Sequence, residues 1–407
     1  MELIKPGINL DFVGKRNLAF IASGIVILLT VVSLFLQGGP NYGIDFAGGI
    51  VVQLKFKAPT DAAAIKKALA PLGMADALVQ RFGREGDEFL VRVEKSDRNL
   101  DGLGESIGQT LKKTYQDGFE VRRVEMVGPK VGKDLRKKAL LAIFFSLLMM
   151  AVYISGRFEA KWGLAALMAG ILAGATLLVQ AFLAGTTGSE DTGVVALIVT
   201  ALVVTLGACW LLKLRYALGA IVALIHDVVV TVGVFSVLDK EITLAFVAAL
   251  LTIIGYSLND TIIIYDRVRE NLRKPGRKPL AEVINDSVNQ TLSRTILTSG
   301  TTLIVLVCLW ILGGGVIEDF AFAMMVGVVS GTYSTVYIAS SLVLLLPEGR
   351  PVLKRTPAPA LAKPASPRPR LQPNEPPAEA GVEPVPAAKA SVAKKRSRGK
   401  RGGRKRK

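Results

Sequence analysis

Histidine and cysteine are scarce in this sequence of 407 residues, which contains one histidine and two cysteines. Cys209 and Cys308 fall inside apolar runs and lie far apart in the chain, so no disulfide framework is predicted. The sequence has no cysteine and histidine spacing typical of a metal site, no P-loop and no nucleophile beside a base. We therefore expect neither enzymatic activity nor a bound cofactor.

Long apolar runs dominate the sequence instead. Hydrophobic residues make up 51% of the chain, and the mean hydropathy is +0.43. Runs of about 18 to 25 apolar residues have the length needed to cross about 30 Å of hydrocarbon. The sequence predicts eight membrane crossings, at Asn17–Leu36, Lys138–Ser155, Trp162–Ala184, Gly193–Leu212, Ala217–Leu238, Ile242–Tyr265, Thr295–Gly314 and Phe320–Leu346.

The distribution of lysine and arginine between the short loops predicts the orientation, because positive charge near helix ends is retained in the cytoplasm. Four groups of basic residues fall on one side, namely Lys15 and Arg16, Arg157 and Lys161, Lys213 and Arg215, and Arg267–Lys278. The alternate loops are acidic or neutral. We therefore expect an inner-membrane protein with both termini in the cytoplasm, including the short N-terminal segment 1–16.

The formal charge of +17 is concentrated in the C-terminal tail, residues 347–407. From Arg350 to Lys407 there are 17 basic residues and 3 glutamates. The tail is rich in proline, alanine and lysine, a composition that cannot bury a core, so it is predicted to be disordered. Its basic residues suit a solvated cytoplasmic tail, or one attracted to anionic lipid or to the ribosome through its RNA.

Between the first two crossings lies a charged segment, residues 37–137, that is long enough for one small domain outside the cytoplasm. Alternating patterns predict strands at Ile50–Lys57, Glu88–Val93 and Phe119–Val127. Helices are predicted at Thr60–Leu72, capped by Thr60 or Asp61, and at Leu100–Tyr115. The order strand, helix, strand, strand, helix, strand predicts an α+β ferredoxin-like sandwich, in which the third strand is the weakest element.

The glycine pair in "IDFAGG", Ile44–Gly49, has two interpretations. The glycines could approach a ligand, or Gly48 and Gly49 could allow a bulge or close packing where the strand begins. We favour the packing interpretation.

A carboxylate inside a membrane span marks a functional candidate, because charge is costly there. Asp260 lies in the sixth predicted crossing, Asp227 in the fifth, and Arg294 opens the seventh. A carboxyl group that can approach and leave a guanidinium can switch between two protonation states, which is the minimum for a proton relay. The supporting polar candidates are His226, Asn259, Ser257, Thr298 and Thr301. The alternative is that the charges fix helix packing and that the hydroxyls bond their own backbone.

Five stretches resemble the SecF family of protein-export subunits. They are "YGIDFAGGIVVQL" (Tyr42–Leu54), "VGPKVGKDL" (Val127–Leu135), "ALIHDVVVTVGVFS" (Ala223–Ser236), "IGYSLNDTIIIYDRVRENLR" (Ile254–Arg273) and "TLSRTILTSGTTL" (Thr291–Leu303). The resemblance implies half of a machine of the resistance-nodulation-division (RND) superfamily, driven by the proton-motive force, in which Asp260 and Arg294 match the family's functional charges. It implies SecD, the SecYEG channel, a translocating preprotein and YajC or YidC as partners.

One segment departs from the family pattern of six crossings. Residues 160–213 insert two additional hydrophobic spans, which leave the downstream topology unchanged. Two other functions remain open, namely a passive translocon scaffold without ion coupling and an RND-type component of small-molecule efflux. The coupling ion is also open, because carboxylates and hydroxyls can serve protons or sodium.

Overall fold

The structure is a computed structural model that describes residues 9–345, except for 73, 75–76, 83–86, 94–102, 116–117, 160–161, 164–165, 168, 171–173, 175–189 and 276–277. The predicted disordered tail and most of the predicted crossing Trp162–Ala184 lie outside the described residues. The described part forms one compact unit, in which an α+β domain is joined to a helix bundle.

The α+β domain contains four strands and three helices. In chain order they are α2 (Ile44–Ala47), β1 (Gly49–Phe56), α3 (Ala62–Leu69), β2 (Leu78–Phe82), β3 (Glu88–Val93), α4 (Leu103–Tyr115) and β4 (Phe119–Val127). The sheet is antiparallel throughout its described pairings, in the order β2-β3-β1-β4. The predictions of β1, β3 and β4 are confirmed, and β2 is a strand to which the sequence analysis assigned no residues.

Alternation along β1 explains the core of this domain. Ile50, Val52 and Leu54 are each at most 1% exposed, whereas Val51 and Gln53 face the opposite side and are half-buried. The buried side chains of β1 face α3 and α4 and pack against residues such as Ile65 of α3. This follows from the geometry of a strand, in which alternate side chains point to the same face. The predicted cap of α3 is only partly right, because Asp61 is the N-cap residue but makes no capping hydrogen bond. Thr60 instead bonds Tyr115, with the two hydroxyl oxygens 3.2 Å apart.

The glycine pair before β1 serves close packing, as predicted. Gly48 has φ = +76° and Gly49 has φ = +125°, conformations that favour glycine. A Cβ atom on Gly48 would lie 2.9 Å from the Cα of Pro129, so the chain can pass here only without a side chain.

Six described helical segments are long and apolar enough to cross a membrane. They are α1 (Arg16–Leu36), α5 (Pro129–Glu159), α7 (Arg215–Val237), α8 (Leu244–Arg273), α9 (Leu280–Leu312), and α10 (Gly315–Ser334) with the π-helical turn Thr335–Ala339 and α11 (Ser340–Leu342) that continue it. A further helix, α6 (Glu190–Leu211), coincides with the predicted crossing Gly193–Leu212. The count of eight crossings stays a prediction, because part of the segment that decides it lies outside the described residues.

Helix α7 lies at the centre of the bundle. It packs against α1, α5, α8 and α10, and 14 of its residues are buried. Glycines permit the closest approaches, because a Cβ on Gly233 would overlap the side chain of Thr30 in α1. On α10, Gly327 allows the same close contact with Ile253 of α8. The bundle therefore holds α7, α8 and α10 close together around a small interior.

Candidate functional site

Asp227 lies in this interior, surrounded by hydroxyl groups. The residue is 1% exposed, and its Oδ1 accepts a hydrogen bond from Ser330 at 2.7 Å. Its Oδ2 accepts hydrogen bonds from Ser257 at 2.7 Å and from Ser334 at 2.8 Å. The Nδ1 atom of His226 lies 3.2 Å from Oδ1. One carboxylate thus connects α7 with α8 and α10.

The serines of α10 were not among the residues singled out in the sequence. Ser330 and Ser334 are four residues apart and therefore share one face of the helix. Gly331 lies between them, and a Cβ there would be 2.9 Å from the Cβ of Ser257. The small and hydroxylated residues of "GVVSGTYS" (Gly327–Ser334) are the signal that could have indicated this face.

Asp260, on α8, has very different surroundings. It is 4% exposed, and its carboxylate forms no hydrogen bond or ion pair within the part of the chain that the structure describes. Arg294 on α9 is exposed, and its charge lies within electrostatic range of Asp260. The structure therefore brings the predicted pair into the same region while leaving the two side chains without direct contact.

The supporting polar candidates divide into two groups. Ser257 and His226 belong to the surroundings of Asp227 described above. Thr298 and Thr301 bond their own helix, to the carbonyl oxygens of Arg294 at 3.1 Å and of Leu297 at 2.9 Å, as the packing alternative expected. Asn259 is exposed on the surface of α8.

A second set of hydroxyl contacts joins α8 to the helices beside it. Thr261 bonds Thr335, with oxygens 2.9 Å apart, and Tyr256 donates to Thr302 of α9 at 3.1 Å. Thr335 opens the π-helical turn, and π-helical turns are frequent at functional sites. Tyr265 donates to the carbonyl oxygen of Ala339 at the other end of that turn, at 3.0 Å.

Polar contacts also join the α+β domain to the bundle. Arg92 of β3 donates to Glu241 Oε1 at 2.9 Å and to the carbonyl oxygen of Tyr42 at 2.6 Å. The carboxylate of Asp45 accepts the backbone N–H of Leu244 at 2.8 Å, so the first turn of α8 is capped from α2. The helix that carries Asp260 thus begins in contact with the α+β domain.

The interfacial charges behave as ordinary ion pairs. Arg157 Nη2 lies 2.7 Å from Asp266 Oδ2, and Arg267 pairs with Glu270 at 2.8 Å. All four side chains are exposed, so these are surface ion pairs.

Comparison with known proteins assigns the family. The family model described as protein export membrane protein SecD/SecF, C-terminal, matches residues 106–187 and 185–349, and the SecD/SecF GG motif matches residues 33–60. The protein translocase subunit SecF of Magnetococcus marinus is 42% identical over 353 residues, which cover 86% of this chain and 96% of that protein. The chain belongs to the SecF family. The SecF of Escherichia coli O157:H7 is 34% identical over 338 residues, covering 83% of this chain and 87% of that protein.

A solved structure extends the SecF assignment to the fold. The crystal structure of SecDF, a translocon-associated membrane protein from Thermus thermophilus, matches with a TM-score of 0.58 and 29% sequence identity. The match covers 85% of this chain and 39% of that chain, so this SecF-family chain spans about two fifths of the SecDF chain. The two segments matched by the C-terminal family model meet at residues 185–187, inside the predicted insertion 160–213.

Proposed function

We propose that this chain works with SecD as an accessory subunit of the Sec translocase and uses the proton-motive force to promote the movement of exported polypeptides. Asp260 is the ion-carrying group, and Arg294 is the charge that it meets and leaves. The observation that carries the proposal is that Asp260 is buried in a membrane-spanning helix, within range of a guanidinium but without a direct partner among the described residues. A carboxylate in that position is free to bind and release a proton.

The coupling to polypeptide movement runs along α8. Asp260 lies on this helix, and the first turn of the helix is held by Asp45 and adjoins Glu241, the partner of Arg92. A change in the packing of α8 at Asp260 therefore moves the first turn of that helix, which contacts the α+β domain. Such coupling needs a two-state element that protonation biases.

The topology belongs to the same proposal. The α+β domain is ferredoxin-like and lies in the periplasm, and both termini are cytoplasmic in an inner-membrane protein of the RND superfamily. Support comes from the strand order and from Arg16, Arg157, Arg215 and Arg273, which lie at the helix ends away from the domain. The SecYEG channel, YajC or YidC and a translocating preprotein are the further partners, and anionic lipid or the ribosome is the partner of the tail. The chain acts without enzymatic activity or a cofactor of its own.

The experiment measures export into inner-membrane vesicles under separate proton and sodium gradients. Asp260→Asn is expected to insert and to bind SecD normally but to lose the gradient-stimulated part of export. Asp266→Asn is the matched control, because Asp266 lies on the same helix but pairs with Arg157 at its exposed end. If a gradient stimulates export by Asp260→Asn as much as export by the unchanged chain, a passive scaffold describes the chain better. If only the sodium gradient stimulates export by the unchanged chain, the coupling ion is sodium.

A small-molecule efflux component is the other candidate of this superfamily. Substrate transport by the purified chain with SecD, without exported polypeptide, would favour it. The single α+β domain of 37–137 favours the export function.

A further inference from the structure

We propose that Asp227 is a positioning residue, a fixed carboxylate that ties α7 to α8 and α10 and thereby holds Asp260 in place. The proposal rests on the proposed relay at Asp260 and Arg294. It gives Asp227 a role different from the ion-carrying one that the sequence suggests. It follows from the contrast between the surroundings of the two buried aspartates.

The carboxylate of Asp227 has its hydrogen-bonding capacity filled by neutral hydroxyl groups. A carboxylate offers about four acceptor positions. Three of them receive serine hydroxyls at 2.7, 2.7 and 2.8 Å, which are short, charge-assisted bonds, and the Nδ1 atom of His226 lies 3.2 Å from Oδ1. A proton arriving at Asp227 would require one of these hydroxyls to turn from donor to acceptor, whereas the carboxylate of Asp260 has no such donor among the described residues.

The same hydrogen bonds give Asp227 a mechanical role. Ser257 lies three residues before Asp260, which is about one turn of α8. Ser330 and Ser334 tie the same carboxylate to α10 immediately before the π-helical turn. Losing the carboxylate would therefore release Ser257 and allow α8 to shift at the level of Asp260.

Packing around the carboxylate is too close for a large rearrangement. A Cβ on Gly331 would lie 2.9 Å from the Cβ of Ser257 and 3.5 Å from Asp227 Oδ2. Three titratable side chains adjoin these contacts: His226 beside Asp227, Asp260 three residues after Ser257, and Tyr333 next to Ser334, whose ring centroid lies 5.9 Å from that of His226. Among the described residues, the imidazole of His226 is the one basic group within ion-pair distance of Asp227.

Two substitutions separate the charge of Asp227 from its hydrogen bonds. Asp227→Asn keeps the shape of the side chain, and the serine hydroxyls can turn to accept from its amide. Asp227→Leu has similar size but removes the bonds. The measurements are gradient-stimulated export per inserted molecule across a range of pH, under proton and sodium gradients, and the thermal unfolding midpoint of the chain in complex with SecD.

Asp227→Asn is expected to retain stimulated export within about twofold, with the same pH at half-maximal stimulation. Asp227→Leu is expected to lower stimulated export about tenfold or more and to shift the pH of half-maximal stimulation, because small misplacements of reacting groups are costly. A simple loss of folded protein would lower export without moving the pH of half-maximal stimulation. A shift in that pH therefore indicates a positioning role. Ser257→Ala should give an intermediate result.

Three outcomes would overturn the proposal. Asp227→Asn could lose stimulation as completely as Asp260→Asn while still binding SecD, which would make Asp227 an ion carrier. The loss could be confined to the sodium gradient, which would make the carboxylate and hydroxyls a cation site. Equal unfolding midpoints for Asp227→Asn and Asp227→Leu would exclude the tie between helices, and this result does not depend on the relay. Normal gradient stimulation of export in Asp260→Asn would instead refute the relay at Asp260. That result would leave the comparison of the two unfolding midpoints unaffected.

Discussion

Arg92 of strand β3 and Glu241 of the loop between α7 and α8 form an ion pair of 2.9 Å across the junction of the α+β domain and the bundle. The side chain of Arg92 is 5% exposed, and that of Glu241 is 28% exposed. A charged hydrogen bond with one buried partner contributes more than a surface pair does. This contact therefore fixes the domain to the loop that leads into the helix of Asp260.

Arg92→Ala is expected to weaken the junction, because Glu241 and the carbonyl oxygen of Tyr42 lose their common donor. The cost should be about 1–3 kcal/mol in the free energy of unfolding. Gradient-stimulated export should fall further than export driven without a gradient. Vesicle export assays with and without the gradient measure the difference.

Arg122→Ala is the matched control, because Arg122 pairs with Glu120 at 3.5 Å on an exposed strand face of the same domain. Its effect should stay within about 0.5 kcal/mol. Equal stimulation in Arg92→Ala and Arg122→Ala would show that the junction does not transmit the signal.

Gly331→Ala is expected to push α10 away from α8, because its Cβ would lie 2.9 Å from the Cβ of Ser257. Overpacking of this kind costs about 1–3 kcal/mol. The thermal unfolding midpoint of the purified protein should fall. Gly255→Ala on α8 has no atom within 4 Å of its new Cβ, and its midpoint should not fall. A lower midpoint for Gly255→Ala than for Gly331→Ala would contradict this account of the packing.

Gly48→Ala is expected to destabilise the chain more than Gly38→Ala. Both glycines have positive φ, +76° and +73°, so both substitutions introduce backbone strain. Gly48 also has ψ = 169°, a combination that is essentially restricted to glycine. Only at Gly48 does the new Cβ also meet backbone, the Cα of Pro129 at 2.9 Å, whereas Gly38 has nothing within 4 Å. The unfolding midpoint should therefore fall further for Gly48→Ala than for Gly38→Ala, and equal midpoints would refute this expectation.

Local patterns predicted the α+β domain well. The bounds of β3 and β4 agree with the predicted strands, because alternation of apolar residues survives in a sheet with one covered face. Strand β2 was not located in the sequence, because it has only five residues and pairs only with β3 among the described strands. The apolar runs likewise predicted the six described crossings, although α8 and α9 extend beyond them as polar helix that hydropathy does not detect.

The site was predicted in part, because its chemistry depends on residues that are distant in sequence. Asp227, Asp260 and Arg294 could be found because charge is rare in apolar runs. Ser330 and Ser334 were missed, although they lie in a run of small and hydroxylated residues. Serine in a membrane helix commonly bonds its own backbone, and the packing of α10 on α7 brings these two to Asp227. Arg92 was missed for a similar reason. Alternation along β3 predicts an exposed side chain there, whereas its partner Glu241 is 149 residues away.

Strand β4 ends at Val127 and α5 begins at Pro129, so a single residue, Gly128, links the sheet to the bundle there. Arg92 on β3 and Asp45 on α2 hold the domain at two further points, on Glu241 and on the backbone of Leu244. Both contacts reach the short stretch that leads into α8 or the first turn of that helix. A displacement of the domain therefore either breaks these contacts or carries the start of α8 with it.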